Sequence, residues 1–91
     1  MNKNELIAKV AKETRLTRGE AGEAIKATLD NIMKALRQGD DVRIVGFGTF
    51  TVTRRKAGEV RNPRTGKPIR LPASKRARFK AGKLLKEAVN G

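Results

Sequence analysis

Apolar side chains recur every third or fourth position over the first 38 residues, and every second position through the middle of the chain. That change of period marks a passage from helix to strand. Leu6, Ile7, Val10 and Ala11 share one face at helical spacing. They predict a helix over residues 2–13, capped by Asn2, with Glu5 three positions on and able to return a bond to the cap backbone. "TRLT" breaks the pattern. Thr17 and Glu20 then form a T-x-x-E capping box. Ala21, Ile25, Thr28, Leu29, Ile32, Met33 and Leu36 follow as a wide apolar stripe on a second helix, and Gly39 supplies a left-handed stop.

In "DDVRIVGFGTFTVTRR", Val42, Ile44, Phe50 and Val52 alternate with Arg43, Thr49, Thr51 and Thr53. Two antiparallel strands are expected, with Gly46 and Gly48 at the turn. "RNPRTGKP" is turn chemistry: Pro63 suits a first central position and Gly66 a positive φ. Ile69 and Leu71 in "PIRLP" predict a third strand returning beside the second. "FKAGKLLKEAVN" reads as a short helix burying Phe79, Leu84, Leu85 and Val89, with Lys80, Lys83 and Lys86 on its other side. The expected class is α+β: an N-terminal helical hairpin, a three-stranded antiparallel sheet with a long β-ribbon arm, and a C-terminal helix.

Between Arg54 and Lys67 there is almost no apolar alternation, so that ribbon cannot pack on the body, and an isolated two-stranded ribbon is marginal in water. The stripe on the second helix and the three Phe residues exceed what so small a body can cover. Two chains sharing one core, each projecting a basic hairpin, resolve both facts. A homodimer is expected.

Charge sharpens the picture. The chain carries 22 Lys and Arg against 9 Asp and Glu, a net of +13. Residues 1–41 hold eight cations against seven acids, while residues 42–86 hold fourteen cations against Glu59 alone. Solubility does not require such segregation, so a polyanionic partner is expected. With no Cys and no His, disulfides and the common zinc sites are excluded. Gly58 to Gly66 has the wrong spacing for a phosphate loop, and Pro68 stands where Ser or Thr would hold magnesium. "GFGTF" lacks the third glycine of a dinucleotide fingerprint, and Asp40–Asp41 has no third ligand. No catalysis, cofactor, metal or small-molecule substrate is expected. No segment reads as a signal peptide or a membrane helix, so a cytoplasmic protein without membrane contact is expected. There is no Trp or Tyr on which single strands could stack, which favours duplex recognition through phosphates and groove shape. A structured-RNA-binding role is the competing reading.

"MNKNELI" at the start, "VRIVGFGTF" at 42–50, "RNPRTGKPI" at 61–69 and "FKAGKLLKEAVN" at 79–90 occur in an order that resembles the bacterial HU/IHF histone-like DNA-binding proteins. The likeness covers essentially the whole chain. With no extension before Met1 or after Gly91, it is closer to HU than to the sequence-preferring IHF branch. The resemblance implies an intertwined dimer whose two β-arms embrace duplex DNA from the minor-groove side. Such proteins wedge apolar side chains between base steps. Arg61, Asn62 and Pro63 match the arm tip, Pro63 the wedge, and Arg55 an arm arginine. Phe47, Phe50 and Phe79 match the dimer core. Lys3, Lys80, Lys83 and Lys86 match body positions that meet flanking phosphates. Gly58 stands where many relatives carry another arm arginine, and Val60 where a glycine is usual.

The implied layout is a single domain over 1–91: a helical dimerisation base (1–41), sheet (42–53), DNA-embracing arm (54–73), then a basic strand end and C-terminal helix (74–91). Arg54, Lys56, Arg64, Lys67 and Arg70 complete the expected arm contacts, and Lys75, Arg76 and Arg78 those of the body. The implied function is nucleoid organisation by bending and compacting double-stranded DNA, with a paralogous subunit as a further candidate partner.

Overall fold

A computed structural model describes all 91 residues, Met1–Gly91. In chain order the elements are α1 (Lys3–Thr14), α2 (Arg18–Arg37), β1 (Val42–Ile44), β2 (Gly48–Arg55), β3 (Gly58–Arg61), β4 (Pro68–Leu71), β5 (Ser74–Ala81) and α3 (Lys83–Asn90). They divide into two compact units, Met1–Ala35 and Leu36–Gly91.

In the first unit, local capping starts both helices. Asn2 Oδ1 accepts the Glu5 N–H at 2.8 Å, and α1 ends where Arg15 turns left-handed at φ 61°. The capping box of α2 is closed in both directions. Glu20 N–H donates to Thr17 Oγ1 at 3.1 Å, and Thr17 N–H donates to Glu20 Oε1 at 2.9 Å. The helices meet at small residues: Ala11 and Ala21 are buried, and a Cβ on Gly22 would lie 3.7 Å from Ile7 Cδ1. Larger apolar groups of α2 stay in solvent, Leu29 at 45 % and Met33 at 58 % exposure.

That capping box makes a prediction. The backbone N–H of Thr17, and then its hydroxyl, hold the Glu20 carboxyl below its ordinary value. A carboxyl lowered by folding stabilises the fold above its unfolded pKa and loses that contribution as pH falls through the lowered one. Thermal unfolding followed against pH should therefore show the gap between wild type and Glu20→Gln widest near neutrality and closing in acid. Thr17→Ala should cost about 1 kcal/mol at neutral pH.

In the second unit, Gly39 (φ +87°) follows the end of α2 as expected. β1, β2 and β5 form a three-stranded antiparallel sheet in the order β1-β2-β5, and β3 and β4 form a separate two-stranded ribbon. The third strand of the sheet is thus β5, not the segment around Ile69 and Leu71. Those residues pair with β3 instead, Val60 opposite Ile69 and Gly58 opposite Leu71. Lys56–Ala57 on one side and Pro72–Ala73 on the other interrupt the ladders. Pro72 has no N–H to donate, which is why pairing stops there.

The C-terminal segment also departs from its helical reading. α3 begins only at Lys83, and Phe79 and Lys80 are strand residues. Phe79 sits directly opposite Phe50 in the β2–β5 ladder. Period-2 alternation in "SKRARFKA" therefore outruns the helix-like spacing that begins at Phe79. Gly48, expected in the turn, opens β2 and is buried. Its lack of a side chain is required: a Cβ there would collide with the Phe79 ring and come within 2.7 Å of the Lys80 carbonyl. The β1–β2 turn is bound to the start of α3, since Gly82 N–H donates to the Phe47 carbonyl at 2.8 Å and Leu85 N–H to that of Gly46 at 3.2 Å.

Candidate nucleic-acid interface

Residues directly opposite in an antiparallel ladder share a face, and successive residues alternate. The β2–β5 register pairs Thr49 with Lys80, Thr51 with Arg78, Thr53 with Arg76 and Arg55 with Ser74. The intervening pairs are Gly48 with Ala81, Phe50 with Phe79, Val52 with Ala77 and Arg54 with Lys75. β1 extends both sets, adding Arg43 beside Thr49 and Val42 beside Phe50. One face of the sheet is thus cationic, carrying Arg43, Arg55, Arg76, Arg78 and Lys80 among threonines. The other is apolar, except at the arm end.

Arg43 was missed among the site residues, although the alternation of Val42 and Ile44 about it was the available signal. Arg54 and Lys75 were grouped with the other cations, yet the register places both on the opposite, phenylalanine side. Lys75 Nζ donates to the Arg37 carbonyl at 3.1 Å. Arg54 and Arg55, expected in the arm, belong to β2 of the sheet. Arg55 Nη2 reaches across the interruption to the Pro72 carbonyl at 2.9 Å, tying sheet to ribbon.

The ribbon also has two faces. Val60, Ile69, Gly58 and Leu71 occupy one; Glu59, Arg70, Arg61 and Pro68 occupy the other. Arg61 and Arg70 therefore share a face. At the tip, Asn62 organises the turn. Its Oδ1 accepts the Arg64 N–H at 2.9 Å, its carbonyl accepts the Gly66 N–H at 2.8 Å, and its N–H donates to the Lys67 carbonyl at 2.9 Å. Gly66 closes the turn at φ +71°, a region side chains rarely adopt. Pro63 stands exposed at the tip, with Arg64 and Lys67 beside it. Lys56 lies exposed in the interruption at the root. Lys83 and Lys86, three residues apart on α3, are exposed, as is Lys3 in the first turn of α1.

The apolar face is largely uncovered. Phe79 packs on Phe50 with ring centroids 4.7 Å apart and on Phe47 at 5.5 Å. Even so, Phe79 is 42 % and Phe47 46 % exposed, and Leu84 of α3 64 %. No group of three His, Cys, Asp or Glu residues is placed to hold a metal, and no helix is long and apolar enough to cross a membrane. Chemically, the arrangement is a row of fixed cations, a polar ribbon tip bearing one rigid apolar ring, and an unfilled aromatic face.

Comparison with known proteins gives a consistent result. The model of the family described as "Bacterial DNA-binding protein" matches residues 1–90. The chain is 51 % identical over 90 residues to DNA-binding protein HU-beta of Pseudomonas fluorescens, covering 99 % of this chain and 100 % of that one. It is 51 % identical over 89 residues to DNA-binding protein HU of Staphylococcus aureus, covering 98 % and 99 %. Among solved structures, it resembles the HU of an Anabaena HU–DNA cocrystal with a TM-score of 0.81 and 43 % identity, over 98 % of this chain and 97 % of that one.

Proposed function

This chain belongs to the bacterial DNA-binding protein family, and we propose that it is a histone-like architectural protein of the HU kind that binds and bends duplex DNA. Two copies share one aromatic core and present their cationic sheet faces and ribbon arms to the duplex. The observation that carries this reading is the β2–β5 register, which gathers Arg55, Arg76, Arg78 and Lys80 on one face and leaves the phenylalanines on the other.

Each element has a part in that reading. The sheet cations, with Arg43, neutralise phosphates and release counterions; this term is independent of sequence and dominates nonspecific affinity. Lys83 and Lys86 extend the cationic track to flanking phosphates, and Lys3 is a further phosphate contact. The arm, with Lys56, Arg61, Arg64, Lys67 and Arg70, follows the minor groove. Little beyond A·T versus G·C can be read there, so base preference is weak. Pro63 wedges between base pairs at the tip, where unstacking costs a few kcal/mol and the wider wrapped contact offsets it. Such a protein works on the nucleoid, in the cytoplasm of a bacterium, with no chemical step of its own.

A salt titration of fluorescence anisotropy on intact duplex, nicked duplex, single strand and structured RNA tests the proposal. Tighter binding to the duplexes, with a steep log–log salt slope and little change between sequences, is expected. Equal or tighter binding to RNA would favour the RNA reading instead.

Pro63 can be tested separately. Pro63→Ala removes the wedge and leaves every charge in place. Affinity for straight duplex should change little, while bending, read by energy transfer across a short duplex, and preference for nicked DNA should fall severalfold. Unchanged bending would reduce Pro63 to a turn residue.

A further inference from the structure

We infer that Lys75, with Arg54 opposite it, is a positioning residue that anchors the root of the arm to the C-terminal end of α2, rather than a phosphate contact. This rests on the DNA-bending reading above. Three observations converge on it. The register turns both side chains away from the cationic row, onto the face of Phe50 and Phe79. Lys75 Nζ donates to the carbonyl of Arg37, the last residue of α2. That carbonyl is among the four that a helix leaves without an internal partner, at the end bearing partial negative charge. Arg54 approaches the same helix end: a Cβ on Gly39 would lie 2.8 Å from Arg54 Nη2.

Position gives this modest tie its leverage. Ser74 opens β5 directly after the Pro72–Ala73 interruption, so Lys75 grips the first turn of ladder below the ribbon. Eight extended residues from Arg55 to Pro63 span about 26 Å. A tilt of about 10° at the root therefore moves the tip by roughly 4–5 Å, more than the ~3.4 Å rise of one base step. A slack root leaves the cations in place but carries the wedge off its step. The sheet cations supply affinity, and Lys75 with Arg54 supplies aim.

Lys75→Met keeps the stem and removes the donor; Lys75→Arg keeps both donor and charge. With folding checked by thermal unfolding, each variant is measured by salt titration on intact duplex and by energy-transfer bending on intact and nicked duplexes. Lys75→Met should leave the salt slope unchanged, while bending and the preference for nicked DNA fall severalfold. Lys75→Arg should restore both. Lys75→Gln, which drops the charge but keeps a donor, serves if the Met variant does not fold; its slope should also be unchanged, with bending intermediate. A slope reduced by about 1.8 per dimer, 0.9 for each lost phosphate contact, would place Lys75 in the footprint and overturn the inference. Unchanged slope with unchanged bending would leave it a plain helix cap. If the wild-type protein itself fails to bend duplex DNA, the functional reading falls first, and the variants are not what decides it.

Discussion

Phe79→Ala is expected to abolish the folded state at micromolar concentration. Phe79 is the centre of the aromatic cluster, in ring contact with both Phe50 and Phe47. Truncating a core Phe costs about 3–5 kcal/mol, and in a shared core the loss occurs twice. The sum approaches the whole stability of a small protein, ~5–15 kcal/mol. Nothing within one chain can offset it, since Ala11 and Ala21 are the only buried apolar side chains. The wild type should scatter light as a species of about 20 kDa, twice the 10.0 kDa chain. Its unfolding midpoint should rise with concentration, as for any obligate dimer. Phe79→Ala should give an unfolded circular-dichroism spectrum and no duplex binding. A wild-type chain that unfolds cooperatively as a 10.0 kDa monomer would remove the shared core from this account.

The second large effect is on DNA affinity with the fold intact. Arg76, Arg78 and Lys80 are exposed on the cationic face, opposite threonines rather than packed groups. Replacing all three by Ala should therefore change thermal stability little. A dimer would lose six phosphate contacts, and the log–log salt slope should fall in magnitude by about 5. At physiological salt the affinity for intact duplex should drop on the order of 10³-fold or more. An unchanged slope would mean that this face of the sheet does not meet DNA.

How much of this was legible in advance follows from the range of the interactions involved. The caps at Asn2 and Thr17, the stop at Gly39 and the turn at Asn62–Lys67 lie where residue type alone puts them, because each bond spans five residues or fewer. The α+β class followed from the change of period for the same reason. Phe79 shows where this local reasoning runs out. It heads the run "FKAGKLLKEAVN", whose later part is helical, while its spacing to Ala77 and Ala81 satisfies a strand. Only pairing with Phe50, 29 positions earlier, decides between them. Ile69 and Leu71 were displaced likewise: they pair with Val60 and Gly58 across the short turn that joins β3 to β4, not with β2.

The candidate interface divides along the same line. That residues 42–86 carry fourteen cations against one acid, and so address a polyanion, needs no coordinates, since charge adds up whatever the fold. The turn chemistry around Pro63 and the shortage of buried apolar material in one chain are equally properties of the sequence. Which cations act together is not. Arg54 and Arg55 are neighbours in sequence and identical in charge, yet the ladder sends them to opposite faces, one toward the end of α2 and the other into the row with Arg76 and Arg78. Arg43 joins that row, and Lys75 leaves it for the Arg37 carbonyl. The physical reason is that net charge is a sum over residues, whereas a binding face depends on strand register. Register is set by long-range pairing, and a shift of one position moves every side chain to the other side of the sheet.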